Sequence, residues 1–109
     1  MSTRNKSLIL LFRGISTPSS QILKLKPGEY ILGRDPNCDI VIVDPYVSRA
    51  HAKIFYKDNK WYLEDLGSKN GTYINGEDVR NRGAIELKEG MEIVLGFSTI
   101  IVKNFEQNL

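Results

Sequence analysis

The sequence predicts an all-β sandwich of about eleven short strands, and three observations point there. Helical periodicity is nearly absent. Runs rich in β-branched and aromatic residues alternate with Gly, Pro, Asn and Asp at intervals of about five to ten residues. Asn75-Gly76 sits between Thr72-Tyr73-Ile74 and Glu77-Asp78-Val79, a hairpin signal because both turn positions need positive φ.

In chain order, residues 7–13 form a first strand, whose apolar run from Leu8 to Phe12 suits a buried position. Residues 14–20 are a loop, and residues 21–25 set Ile22 and Leu23 among polar neighbours. Pro27-Gly28 turns the chain into residues 29–32, a strand that ends at Gly33-Arg34. Asp35-Pro36-Asn37 is a turn, residues 40–43 a short strand, and Asp44-Pro45 breaks it. Residues 50–57 follow, with Ala52, Ile54 and Tyr56 on one face. Asp58-Asn59 turns the chain into residues 61–66. Beyond the Asn75-Gly76 hairpin, residues 84–87, 91–95 and 99–103 complete the sheets. Residues 1–6 and 105–109 are polar enough to be loose tails, which leaves 7–104 as one domain.

Composition narrows the function. A chain of 109 residues buries about two-thirds of its unfolded surface, so it needs no disulfide or metal staple. Net charge is only +2, from 15 basic and 13 acidic residues, which argues against a general nucleic-acid binder. Cys38 is the only cysteine, so an intramolecular disulfide is excluded and a reducing cytoplasm is the simplest compartment. The run from Leu8 to Phe12 is too short for a membrane span or a signal-peptide core, so no membrane role is expected. Met1 points to a natural N-terminus, and nearly the whole chain is the domain. A small stand-alone adaptor and a piece of a larger protein are both open.

Three polar clusters fall in predicted loops: Gly33-Arg34, Ser48-Arg49-Ala50-His51 and Gly67-Ser68-Lys69-Asn70-Gly71-Thr72. Each offers what a phosphate needs. A phosphate on a side-chain hydroxyl carries about −1.5 to −2 charges and three strong acceptor oxygens. Arg34 supplies a planar fork of donors that stays charged at any relevant pH. Gly33 beside it suggests a close backbone approach. Ser48 can donate a hydroxyl, though a turn-stabilising serine after Asp44-Pro45 is the plainer reading. Arg49 and Lys69 can add cations, Ser68 a hydroxyl or backbone group, and Asn70 a donor and an acceptor.

Those clusters, with Val47-Ser48-Arg49-Ala50-His51-Ala52, Asp65-Leu66-Gly67-Ser68-Lys69-Asn70-Gly71-Thr72 and Asn75-Gly76 in order, resemble the forkhead-associated (FHA) domain signature. The resemblance runs from about Leu8 to Val102. It implies an FHA-type sandwich with its ligand site in the loops at one end. The family is a known reader of phosphorylated motifs. The resemblance implies a phosphothreonine-peptide binding module, a reader or adaptor downstream of a Ser/Thr protein kinase. Its partners are then phosphothreonine-containing substrates of such kinases. It assigns the phosphate to Arg34 and Ser48, with Arg49, Ser68 and Lys69 in support, and the peptide main chain to Asn70. Gly33, His51 and Gly71 build the site, His51 as an architectural residue. Tyr46 lies where a selector for the third residue after the phosphothreonine would sit. An aromatic there favours an apolar residue and nearby Lys69 an acidic one, which leaves the preference open. Stand-alone relatives can be phosphorylated on their own tails, and Thr3 is the candidate here.

Other readings are weaker. Ser48, His51 and Asp65 are the residue types of a hydrolytic triad, but no Gly-x-Ser-x-Gly elbow accompanies them, so no catalysis is expected. The chain has one His, and Cys38 lies in a separate turn, so no metal and no cofactor are expected. Lys53, Lys57, Lys60, Arg80 and Arg82, with Trp61 and Tyr62 to stack bases, would suit single-stranded nucleic acid, but the near-neutral total speaks against it. The principal alternative is a phosphate-independent interaction module on the same fold.

Overall fold

The computed structural model describes residues 6–15 and 19–107. Thr3 with the rest of residues 1–5, residues 108–109 of the expected C-terminal tail and part of the 14–20 loop lie outside them. The strands in chain order are β1 (Lys6–Arg13), β2 (Gln21–Leu25), β3 (Glu29–Gly33), β4 (Ile40–Val41), β5 (Ala52–Lys57), β6 (Lys60–Asp65), β7 (Thr72–Ile74), β8 (Glu77–Asp78), β9 (Ile85–Glu86), β10 (Glu92–Leu95) and β11 (Ser98–Gln107). They form two sheets, ordered β2-β1-β11-β10-β7-β8 and β4-β3-β5-β6-β9. The expected all-β sandwich is the observed fold. Strand pairs are antiparallel except β3 with β4, which run parallel because residues 34–39 loop back to the start of the neighbour. Among the described residues no helix is long and apolar enough to cross a membrane.

Alternation places the core between the sheets. Leu8 and Leu10 of β1, Ile54 of β5, Leu63 of β6, Ile93 of β10 and Ile100 of β11 are fully buried there. Ala52 and Ile54 point inward as expected, and Tyr56 packs against the core from its rim. Trp61 is buried, and its indole N–H donates to the Lys6 carbonyl at 2.8 Å. It is therefore no platform for bases. Asn75 and Gly76 both have positive φ, 49° and 86°, as the hairpin between β7 and β8 requires.

Most strand limits fall within one or two residues of expectation, and two of the differences have a visible cause. β11 continues past residue 103 to Gln107, because β1 offers a ladder that far: Leu8 pairs with Phe105 and Lys6 with Gln107. The strand expected at 40–43 stops at Val41. Ile42 leaves the ladder to drop into the core, and Asp44 follows it inward.

Candidate functional site

Three connections meet at one end: β3 to β4, β4 to β5 and β6 to β7. Hydrogen bonds knit the first two. The Arg34 N–H donates to the Ser48 carbonyl at 3.0 Å, Asp35 N–H to the Arg49 carbonyl at 3.3 Å, and His51 N–H to the Leu32 carbonyl at 2.8 Å. Gly33 permits this. A Cβ there would lie 1.9 Å from the Arg49 carbonyl oxygen. The close approach anticipated at Gly33 thus comes from the chain itself. Cys38 closes the same junction, its thiol donating to the Arg49 carbonyl at 3.0 Å. Burial and then the Asp35 charge push that thiol's pKa up, so it keeps its proton.

His51 is fully buried and joins the second loop to the third. Its Nδ1 accepts from the Ser48 N–H at 2.9 Å, and its Nε2 lies 2.9 Å from the Gly71 carbonyl. An N–H on one side and a carbonyl on the other assign the neutral ring with its proton on Nε2. Burial pushes its pKa below the ordinary 6.5, outweighing the Gly71 carbonyl, which favours the charged ring. Gly71 sits at φ 94°, and a Cβ would press on the Tyr73 ring at 3.0 Å.

Asp65, at the end of β6, shapes the third loop. One carboxylate oxygen accepts from the Gly67 and Ser68 N–H groups, both at 2.9 Å. The other accepts the hydroxyls of Ser68 and Thr72. Burial pushes this carboxyl up, but those four hydrogen bonds together hold it below its ordinary value. Ser68 is only 6% exposed, and its hydroxyl also accepts from the Gly71 N–H at 3.0 Å. The phosphate contact expected of that hydroxyl therefore finds it turned inward, holding the loop.

The remaining polar groups face a cleft of about 360 Å³. Arg34, Ser48, Lys69 and Asn70 form its polar wall, and Pro45, Tyr46 and Val47 its apolar one. Arg34 Nε donates to the Val47 carbonyl at 3.0 Å, which aims the guanidinium, and among the described residues both Nη groups stay uncommitted. The Ser48 hydroxyl accepts from the Lys69 N–H at 3.0 Å, which leaves its own proton to give. Asn70 Nδ2 donates to the Tyr46 carbonyl at 2.9 Å, so its Oδ1 remains an open acceptor. Arg49 is exposed beside Ser48 but does not line the cleft. Among the described residues no carboxylate pairs with Arg34, Arg49 or Lys69.

Several supporting residues escaped sequence reasoning. Asp65 entered in the signature run and as a triad type but with no role in the site, although Asp-x-Gly-Ser is an Asx-turn pattern that points to loop building. In the fold it binds its own loop while His51 binds Ser48 and Gly71 backbone, so the three triad types form no relay. Arg80 entered only as one basic residue among others. It grips Asp78 at 2.7 Å and donates to the Lys69 carbonyl at 3.1 Å, a contact no local pattern announces. Asp44, read as a strand breaker, is a buried carboxylate that accepts from the Tyr46 and Phe97 N–H groups and the Ser98 hydroxyl.

Known proteins share this fold. The chain is 34% identical to FHA domain-containing protein FhaB of Mycobacterium tuberculosis over 78 residues, 72% of this chain and 49% of that protein. It thus spans about half the length of that relative. Its fold matches the solution structure of the FHA domain of an Arabidopsis thaliana hypothetical protein with a TM-score of 0.83, at 32% identity, covering 100% of this chain and 95% of that one. A second structure, from work on phosphothreonine-dependent FHA domain interactions, matches with a TM-score of 0.77 at 33% identity, covering 90% of this chain and 96% of that one. The FHA domain family model matches residues 30–96, which hold all three loops. The chain belongs to the FHA domain family.

Proposed function

We propose that this chain binds phosphothreonine-containing segments of proteins and acts as a reader or adaptor downstream of a Ser/Thr protein kinase. One observation carries the reading: Arg34, Ser48 and Lys69 turn unspent donors into a single cleft. The Arg34 Nη groups hold two phosphate oxygens, and the Ser48 hydroxyl gives its proton to one of them. Lys69 adds charge from the third loop, and Arg49 adds it from the rim. Asn70 Oδ1 accepts a peptide N–H beside the phosphate. Ser68, Gly33, His51 and Gly71 hold the loops that carry these groups. The free thiol of Cys38 fits a cytoplasmic setting. The likeness to a domain studied for phosphothreonine-dependent interactions supports the same reading.

Three charge-assisted hydrogen bonds give about 5–9 kcal/mol gross. Ordering the peptide takes back part of that, so the affinity is on the order of micromolar. Calorimetric titration against phosphothreonine, phosphoserine and unphosphorylated peptide pools tests the reading, with Arg34→Ala as control. Binding to the phosphothreonine pool alone, lost in the variant, is the expected result. Binding that ignores phosphate or survives Arg34→Ala would favour a phosphate-independent interface instead.

A further inference from the structure

The connection from β8 to β9 is none of the three loops, yet it reaches one of them. Val79 pins its start: the residue is 3% exposed, and its N–H donates to the Thr72 carbonyl at 2.8 Å. Asp78 and Arg80 flank that anchor and grip each other. Arg80 Nη2 and Nε donate to Asp78 Oδ2 at 2.7 and 3.0 Å, and the Arg80 N–H donates to Oδ1 at 3.0 Å. Those bonds, the guanidinium's foremost, hold the Asp78 carboxyl below its ordinary value.

The rest of the fork goes to the third loop. Arg80 Nη1 donates to the Lys69 carbonyl at 3.1 Å. That carbonyl and the Asn70 N–H share one peptide plane, and among the described residues nothing else bonds either group. Lys69 is thus held at both of its backbone groups. Its N–H gives to the Ser48 hydroxyl, and its carbonyl takes from Arg80. The first contact lies in the cleft and leaves the Ser48 proton free to give. The second comes from a residue that does not line the cleft.

Charge alone gives the pair no purpose. A lone cation near a phosphate site would help by its field. Here a carboxylate sits 2.7 Å from that cation and offsets it. What survives the pairing is direction. Asp78 fixes where the fork points, and a planar guanidinium can serve two acceptors at once in a set geometry, which an ammonium does not do.

We infer that Arg80, aimed by Asp78, is a positioning residue for the phosphate site: it fixes the Lys69–Asn70 peptide plane and so keeps Ser48, Lys69 and Asn70 in register with Arg34. It acts through the third loop and not on the phosphate. This inference rests on the phosphothreonine reading above.

The test titrates the phosphothreonine peptide pool into the parent chain, Arg80→Ala, Arg80→Lys, Asp78→Ala and Arg82→Ala, with Arg34→Ala beside them. Arg80→Ala should lose about three- to tenfold in affinity, the worth of one hydrogen bond. Arg80→Lys keeps the charge and should lose as much. Asp78→Ala removes a negative charge, which by field alone would tighten phosphate binding. It should instead weaken binding about threefold or more. Arg82→Ala deletes a cation from the same connection whose contact is Glu77 at 3.7 Å, and should change affinity by less than about twofold. None of these side chains is buried, so Tm should stay within about 3 °C of the parent. In the unliganded protein the Lys69 N–H should exchange faster in Arg80→Ala, while the Gly71 N–H, held by Ser68, keeps the parent rate. Parent affinity in Arg80→Lys, Asp78→Ala binding as tightly as the parent or tighter, or an unchanged Lys69 exchange rate overturns the inference. So does an affinity loss that comes with a Tm fall of about 10 °C, which marks a damaged fold. In each case Arg34-dependent binding keeps the phosphothreonine reading intact. If no peptide binds through Arg34, both fall together.

Discussion

Replacing Gly33 with alanine should destabilise this domain, against the usual direction of that change. Where the backbone tolerates it, Gly→Ala stabilises by about 0.4–1 kcal/mol by reducing unfolded-state entropy. Gly33 has no positive φ to protect, so conformation alone would permit alanine. Packing does not. The new methyl would sit 1.9 Å from the Arg49 oxygen, 2.7 Å from its carbonyl carbon and 3.0 Å from the Cys38 sulfur. The Arg49 carbonyl must retreat by about 1 Å, and it is backbone, held on both sides by the Ser48 and Leu32 contacts. Overpacking of that kind costs about 1–3 kcal/mol. Losing one of the hydrogen bonds between the loops adds about 0.5–1.5 kcal/mol. The sum is about 2–4 kcal/mol, or a fall in Tm of roughly 10 °C or more for a domain of this size. The same retreat moves Ser48 away from Arg34, and one charge-assisted bond lost weakens phosphopeptide binding by roughly 10- to 100-fold. Urea denaturation and calorimetric titration read both effects. Gly28→Ala is the internal control, because its nearest neighbour is 3.7 Å away and it should be neutral or slightly stabilising. A Gly33→Ala protein as stable as the parent, with unchanged phosphopeptide affinity, would refute the reasoning.

Other perturbations follow from the same contacts. Keeping His51 neutral in the fold contributes stability that is complete above its ordinary pKa of 6.5 and is lost as pH falls from there to its lower folded value. Denaturation midpoints of the unliganded protein should therefore drop through that window, and should do so less in His51→Gln. Ser48→Ala removes both the phosphate donor and the acceptor for the Lys69 N–H, so affinity should fall roughly 10- to 100-fold while Tm moves little. Titration and a thermal melt separate the two. Asp65→Asn removes the charge that four donors share and puts an amide donor where one carboxylate oxygen accepts two of them, and should cost about 1–3 kcal/mol in urea denaturation. The parent's Asp65 contribution should persist above pH 3.8 and vanish as pH falls through its lower folded value.

The β pattern was legible because burial dictates it. Leu8, Leu10, Ile54 and Leu63 alternate or cluster as a two-layer core demands, and Asn75-Gly76 has one comfortable conformation. The end of β11 was not legible, because Asn104, Glu106 and Gln107 are polar around the single Phe105 and their strand conformation comes from pairing with β1. In the site, Arg34, Ser48, Lys69 and Asn70 are brought together as residue types and order suggested. The direction of a hydroxyl is another matter. Ser48 and Ser68 look alike in sequence, yet Asp65 captures one and leaves the other facing the cleft. Asp44 was opaque for a related reason, since its partners Phe97 and Ser98 lie more than fifty positions away.

The pairing of β1 with β11 fixes where flanking chain must leave the domain. Arg13 pairs with Thr99 near the Phe97 turn, and Lys6 pairs with Gln107 at the opposite extreme. Eight steps along β11, from Thr99 to Gln107, separate the two, a span of about 26 Å. Sequence attached at either side therefore starts from the end far from the cleft, and a tether must run roughly eight residues or more to come back to it. Thr3 is three residues from Lys6, a reach of at most about 10 Å. A phosphate on Thr3 would be out of range of its own cleft and open only to that of another molecule, so its capture would depend on protein concentration as an association in trans does.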